Sequence, residues 1–191
     1  TGNLSIFRLA MHMITLTCSH LPAHTVASDC LVLPYFSDKL FTTALKILDQ
    51  QLNGQLSQLK RHKDLPTDLA QCRLLFTPQH PFKRILLVCF GQAAKLTIDH
   101  QQTAWAAAWQ QFLSTGIQKL TVCLADTALF KMDVAHQARL ISETWIKQSY
   151  RYHTKQSETT ALINQVVFTD TDKQNQAACQ QQLRYATHIG Y

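Results

Sequence analysis

Glycine and proline are scarce in this sequence, with five residues of each among 191. This scarcity argues against long flexible linkers and against a low-complexity segment, because glycine, proline and serine dominate such regions. The length fits one domain, or one domain with an appendage. A chain of this size buries roughly 70% of the surface that its unfolded form exposes. We therefore expect a hydrophobic core that needs no disulfides or metal ions to hold it.

Long hydrophobic runs are absent as well. No stretch approaches the ~20 apolar residues that a transmembrane helix requires, so we expect no membrane partner. The start, "TGNLSIFRLAMHM", lacks the long apolar core of a secretory signal. The chain begins without methionine, and Met11 and Met13 lie just ahead of the first strand-like run. We predict that residues 1–12 are a leftover of expression cloning or a loose extension.

Cysteine spacings that would indicate a metal site are also missing. None of the six cysteines forms a CxxC, and none has a histidine at zinc-ligand spacing. Most lie inside apolar runs, where a thiol behaves as a small hydrophobic group. We interpret them as buried thiols rather than a disulfide framework, which favours a reducing, cytosolic setting. The six are Cys18, Cys30, Cys72, Cys89, Cys123 and Cys179.

What the sequence does contain is an alternation of strand-like and helix-like stretches. Apolar runs and period-two patterns predict strands, and leucines or aromatic residues at three- and four-residue spacing predict helices. This alternation predicts an α/β fold with a six-stranded mixed sheet flanked by helices. The predicted strands are 13–19, 29–36, 71–78, 84–91, 119–126 and 161–170. The predicted helices are 42–59 with a break at Asn53-Gly54, a helix capped by Thr97 or Asp99 and closed by Gly116, 134–150 and 174–191.

Central strands of such a sheet are covered on both faces, so their apolar side chains should be buried. We expect this of Val32, Leu87, Val88 and Val122.

Gly91 follows the most hydrophobic strand, at a place where many α/β proteins bind phosphate. A dinucleotide fingerprint needs three glycines, and a P-loop needs GxxxxGK[ST]. Here Gln92, Ala93 and Ala94 follow a lone glycine, and Lys95 lacks a following Ser or Thr. The pattern therefore favours a turn over a phosphate-binding loop.

No group of residues has the spacing of a catalytic or metal centre. His20 and His24 are four apart, but Pro22 lies between them, and no HExxH or GxSxG is present. His136 and His153 lie on or just past a helix and are expected at the surface. Asp170 and Asp172 belong to "TDTDKQ", which is typical of a loop leading into a helix cap. We predict no catalytic and no metal-binding residue in this chain.

One basic cluster, "LKRHKD", stands out against a net charge of +6. Its cations Lys60, Arg61 and Lys63 are candidates for contacts to a polyanion. The favoured alternative is a solvated helix end, where cations complement the helix dipole.

The order of these stretches resembles the amino-terminal domain of the leucyl aminopeptidase (cytosol aminopeptidase) family. The resemblance rests on "SDCLVLPYFSD", "LDQQLNGQLSQLKRHKDL", "CRLLFTP" and "KRILLVCFGQAAKLT", followed by "AWAAAWQQFLSTGIQKLTVCLAD". It continues through "HQARLISETWIKQSYRYHTKQSE" and "NQAACQQQLRYATHIGY" and covers nearly all of residues 14–191. No single motif is decisive, and their order and spacing carry the resemblance.

The resemblance implies a macro-domain-like fold over residues 13–172. It also implies that 173–191 begins a helix leading to a catalytic domain that this chain does not contain. The parent would remove amino-terminal residues, often leucine, from peptides, using two divalent ions (zinc, manganese or magnesium). It would be a cytoplasmic hexamer, so this domain's partners would be its own catalytic domain and further copies. No cofactor is expected in this part, which would contribute to assembly and active-site access.

An alternative function stays open beside this one: a polyanion-binding module. It would either bind DNA within the aminopeptidase, as some bacterial members do, or bind a nucleotide as macro domains do. The family often has a glycine-rich "GlG" where this chain has Cys89-Phe90-Gly91. Nucleotide binding is therefore not implied by the resemblance.

Overall fold

The structure, a computed structural model, describes residues 14–39, 42–124, 127–153 and 163–189. The predicted extension at residues 1–12 lies outside these ranges. Among the described helices, none combines the length and the apolar character that a membrane crossing requires.

Six strands form one mixed sheet in the order β1-β6-β5-β2-β4-β3. Every neighbouring pair is parallel except β3 and β4, which are antiparallel. The prediction of a six-stranded mixed sheet is therefore confirmed. The strands are β1 Thr15–Ser19, β2 Ser28–Tyr35, β3 Cys72–Phe76, β4 Phe82–Cys89, β5 Lys119–Cys123 and β6 Gln165–Thr169.

The described helices lie on both faces of the sheet, and most begin and end close to the predicted positions. The first predicted helix is split in two by Asn53 and Gly54, which both have positive φ. Thr97, rather than Asp99, caps the helix that follows β4, because its hydroxyl accepts the backbone N–H of His100 at 3.2 Å. The helices are α1 Thr43–Gln51, α2 Gln55–Arg61, α3 Ile98–Phe112, α4 Thr127–Phe130, α5 Val134–His153 and α6 Gln174–Ile189.

Two hydrophobic clusters form the core, one on each face of the sheet. The larger one packs α3, α5 and α6 against the sheet and contains Trp105, Trp109 and Trp145. The smaller one packs the leucines of α1 and α2 against β2 and β4. The expected burial of central-strand side chains is confirmed, since none of the four is more than 2% exposed: Val32, Leu87, Val88 and Val122.

The connection from β1 to β2 is unusually short for a crossover between parallel strands. It consists of residues 20–27 and contains only a 3₁₀ turn, Ala23–Thr25, whereas such crossovers commonly need a dozen or more residues and a helix. This turn contacts β5. On the face of the sheet that α1 and α2 cover, only this short connection therefore lies over β5 in the described part of the chain.

The cysteine interpretation was wrong for two of the six residues. Cys18 and Cys179 form a disulfide with a Cα–Cα distance of 6.4 Å. The residues are 161 positions apart, and they meet because β1 lies at the sheet edge against which α6 packs. The other four are free thiols, as expected: Cys30, Cys72, Cys89 and Cys123.

Removing this disulfide should destabilise the chain strongly. A crosslink that closes a loop of this length restricts the unfolded state, and native disulfides typically contribute about 2–4 kcal/mol. We expect a reductant, or the double substitution Cys18→Ser/Cys179→Ser, to lower the free energy of unfolding by that amount in urea denaturation.

The double variant supplies the control, because the same reductant should leave its stability unchanged. A thiol count of the denatured, unreduced protein should give four. Six free thiols, with no effect of reductant on the wild-type chain, would contradict the disulfide.

Candidate functional site

The carboxyl ends of the parallel strands form the edge of the sheet where a ligand site is expected. From β2 the chain leads through α1 and α2, on one face of the sheet, to β3 and β4, whereas from β5 it leads through α5, on the other face, to β6 on the opposite side. The chain diverges between these two adjacent strands, which is a topological switch point. Ligands of open α/β sheets bind in the crevice outside such a point.

Three phenylalanine rings occupy this end of the sheet, on the side of α3 and α5. Phe36 follows β2, Phe90 follows β4, and Phe130 ends α4 after β5. Phe130 lies 5.1 Å from Phe36 and 5.0 Å from Phe90 between ring centroids, which is contact distance for aromatic pairs. None of the three is more than 2% exposed. This aromatic cluster fills the crevice that a nucleotide would need on this side.

The turn at Gly91 offers no free cradle for a phosphate. Gly91 has a φ of +68°, and its carbonyl accepts the backbone N–H of Ser37 at 2.9 Å. The nearby amide of Ala93, which could face an anion, instead donates to the carboxylate of Asp38 at 3.0 Å. A carboxylate at this place repels a phosphate. The prediction of a turn is therefore confirmed.

The basic cluster lies at the end of α2, on the surface. Lys60 and Arg61 form the last turn of that helix, and Lys63 follows with a φ of +60°. All three side chains are exposed. Asp64 and Asp68 are exposed in the same loop, so the local field is mixed in sign. Whether the cluster contacts a polyanion stays a prediction.

Two residues singled out in the sequence, His136 and Asp172, have structural contacts that account for their positions. The ring Nδ1 of His136 lies 2.6 Å from a carboxylate oxygen of Asp133, near the start of α5. The pKa of the Asp133 carboxyl is lowered, chiefly because this carboxylate accepts the backbone N–H of His136. Asp172 caps α6 by accepting the N–H of Gln174 at 2.9 Å, as predicted for a loop leading into a helix. The side chain of His153 lies outside what the structure describes. Within the described ranges no group of three His, Cys, Asp or Glu side chains could hold a metal ion.

The free thiols are poor nucleophiles, because burial favours their protonated form. Burial raises the pKa of Cys30 to about 12 and those of Cys72 and Cys123 to about 11. Burial also raises the pKa of Cys89. All four are therefore thiols near neutral pH.

A small cleft lies on the opposite face, between the short crossover and α1. Its floor includes Leu33 of β2 and Cys123 of β5, and exposed Leu21 and Ile47 stand at its sides. Its volume of about 130 Å³ is below the roughly 300–1,000 Å³ of ordinary ligand pockets. Neither this cleft nor the aromatic cluster was predicted. A signal for the cluster was an aromatic residue near the end of two strand-like runs, in "LPYF" and "LVCF".

Helices on both faces of a six-stranded mixed sheet define an α/β domain with a macrodomain-like fold. A model of the N-terminal domain of the cytosol aminopeptidase family matches residues 32–159. This chain belongs to the cytosol aminopeptidase family, and the matching region is the family's N-terminal domain. The resemblance seen in the sequence is thereby confirmed.

A known relative agrees with this assignment, and solved structures agree with the fold. A probable cytosol aminopeptidase of Nitrosomonas eutropha is 26% identical over 165 residues, which are 84% of this chain and 33% of the relative. A mutant tomato leucine aminopeptidase superposes with a TM-score of 0.73 at 20% identity, over 93% of this chain and 36% of that one. A Trypanosoma brucei macrodomain in complex with ADP gives 0.64 at 13% identity, over 90% and 69%. The chain thus spans about a third of the length of the aminopeptidases it matches.

Proposed function

We propose that this chain serves as the non-catalytic N-terminal domain of a metal-dependent leucyl aminopeptidase. The match to the family's N-terminal domain over residues 32–159 carries the proposal. In this role the domain contributes to oligomer assembly, as part of a hexamer, and shapes access to the active sites. The parent enzyme removes amino-terminal residues from peptides.

The described residues do not fit a dinuclear metal centre. Such a centre needs several carboxylates that converge on two ions about 3.5–4 Å apart, and no three suitable side chains come together in the described ranges. Asp170 and Asp172, the closest acidic pair in sequence, are engaged at the start of α6 with Asn175 and Gln174. We propose that the two divalent ions, manganese or zinc, bind in a catalytic domain outside this chain.

We also propose that the parent acts in the cytoplasm. The names of the relatives support this location. The cysteines no longer do, because disulfides are rare in reducing compartments and Cys18 is paired with Cys179.

The test assays this chain and the full-length Nitrosomonas eutropha relative side by side. Hydrolysis of a leucyl-anilide substrate and calorimetric binding of manganese are measured under identical conditions. The proposal expects both from the full-length protein and neither from the 191-residue chain.

DNA binding is a second candidate, favoured by the exposure of the basic cluster at Lys60, Arg61 and Lys63. Phosphate contacts release counterions, so the affinity should fall steeply with salt. The substitution of all three residues by alanine should flatten the plot of log K against log salt by about one unit per lost contact. Fluorescence anisotropy with a labelled duplex measures this slope.

Substitution of Lys119 and Lys83 by alanine gives a control in which two charges are removed away from α2, at the starts of β5 and β4. An identical slope in the wild-type chain and the triple variant would exclude the basic cluster as a DNA contact.

A further inference from the structure

The outer edge of β3 carries backbone groups that face away from the sheet. In its antiparallel pairing with β4, Gln71 accepts the N–H of Cys89 at 2.9 Å, and Thr77 donates to Lys83 at 2.8 Å. Hydrogen-bonding direction alternates along an antiparallel strand. The odd-numbered residues therefore face β4, and the N–H and C=O groups of Cys72, Leu74 and Phe76 point outward.

The opposite edge of the sheet is protected in a way that β3 is not. At β1, the outward N–H of Cys18 donates to the side chain of Gln180 at 3.3 Å. The side chain of Gln176 donates to the carbonyl of Cys18 at 3.4 Å. Both glutamines belong to α6. In the described part of the chain, β3 ends the sheet and has no strand on its outer side.

The composition of β3 also favours pairing with another strand. Natural edge strands are commonly protected by charged side chains, especially lysine, by proline or by a bulge, and "CRLLF" contains one charged residue, Arg73, but no lysine and no proline. Phe76 is 67% exposed, more than any other large hydrophobic side chain among the described residues. Leu74 and Leu75 are each half-buried, one toward each face of the sheet. An exposed apolar strand edge of this kind is a template for strand addition.

We propose that β3 pairs with β3 of a second copy of this chain, in an antiparallel arrangement about a two-fold axis at Leu74. This register opposes Leu74 to Leu74, and Cys72 to Phe76 of the other copy. All three outward-facing residues then form hydrogen-bonded pairs. A two-fold contact is self-complementary, as the commonest homo-oligomer interfaces are.

Side-chain chemistry and backbone geometry favour this register. It places Arg73 opposite Leu75, so no like charges face each other across the strands. A register centred on Phe76 would oppose Leu74 to Pro78, which has no N–H to donate. A register centred on Cys72 would extend the pairing to Ala70, whose φ of +67° takes the backbone out of the strand.

The outer edge of β3 would be a surface through which this domain contributes to oligomer assembly. That assembly role is part of the proposed function, on which this inference rests. A contact between two five-residue strands buries less surface area than the roughly 1,200–2,000 Å² that stable interfaces bury. We therefore expect a weak dimer in this chain alone, which is best detected by trapping it covalently.

The experiment is disulfide trapping with Phe76→Cys in the 191-residue chain. In the proposed register, position 76 opposes the native Cys72 of the other copy at about 5.5 Å between Cα atoms, which suits a disulfide. Mild oxidation should shift the 21.7 kDa band to a dimer on non-reducing gels. In the matched control, Phe76→Cys/Cys72→Ser, the new thiols are four residues out of register, roughly 14 Å apart. The control should stay monomeric.

A second variant guards against low reactivity of the Cys72 thiol, whose pKa is raised by burial. Leu74→Cys/Cys72→Ser places two thiols opposite each other on the two-fold axis and should also yield the dimer. Dimer in both test variants, but not in the wild type or the control, supports the pairing. Monomer in both test variants, or equal dimer in the control, overturns it. Neither result bears on catalysis, so the aminopeptidase proposal is tested separately.

Discussion

Trp145→Ala should lower the free energy of unfolding by about 3–5 kcal/mol, the usual cost of deleting a buried tryptophan. Trp145 lies on α5 and is 2% exposed. Its ring contacts those of Trp105 and Trp109 at 6.0 Å and that of Phe112 at 5.7 Å. All three partners belong to α3. The substitution therefore opens a cavity in the contact between the two helices that cover one face of the sheet.

Two further variants separate the contributions to this effect. Trp145→Phe keeps a ring but removes the indole N–H, which donates to the carbonyl of Trp105 at 2.7 Å. Trp105 lies inside α3, so its carbonyl keeps its helical N–H donor, and losing the indole bond should cost about 0.5–1.5 kcal/mol. Phe76→Ala, at an exposed position, should change stability by less than about 0.5 kcal/mol.

Urea denaturation followed by far-UV circular dichroism measures all three variants. An effect of Trp145→Ala no larger than that of Phe76→Ala would show that α5 does not pack on α3 as described.

The sheet and most helices could be predicted because their signals are local. The run from Arg84 to Gly91 and the alternation from Ile14 to Cys18 each indicate a strand without reference to the rest of the chain. The leucine spacing of α1 and α2, interrupted at Asn53-Gly54, indicates two helices in the same way. Burial of Leu87 and Val122 followed from their place in central strands.

Features that depend on long-range contacts could not be predicted in this way. The Cys18–Cys179 disulfide requires that the first strand and the last described helix be neighbours, which no local pattern shows. The aromatic cluster brings together Phe36, Phe90 and Phe130 from three separate loops and helix ends. α4 was missed because its four residues are too short for a periodic pattern.

At the candidate site, too, local features could be predicted and long-range contacts could not. The lone glycine at position 91 correctly predicted a turn without a phosphate cradle, because missing glycines are visible in the sequence. That Asp38 would occupy the nearby amide of Ala93 was not visible, since the two residues are 55 positions apart.

Hydrolysis by the full-length relative should exceed hydrolysis by this chain by at least about 10⁶-fold, the lower range of enzymatic rate enhancements. The reason is chemical. The described residues bring together no three side chains that could hold a metal, and burial keeps the free thiols protonated. Both observations support the proposal that hydrolysis takes place outside this chain.

The most direct test of this account is the rate of leucyl-anilide hydrolysis at equal molar concentrations of the two proteins, with manganese present. We expect rapid, chelator-sensitive hydrolysis by the full-length Nitrosomonas eutropha protein and no rate above buffer for the 191-residue chain. Hydrolysis by the chain that scales with its concentration, survives repeated chromatography and is abolished by a chelator would contradict the claim that this is a non-catalytic domain.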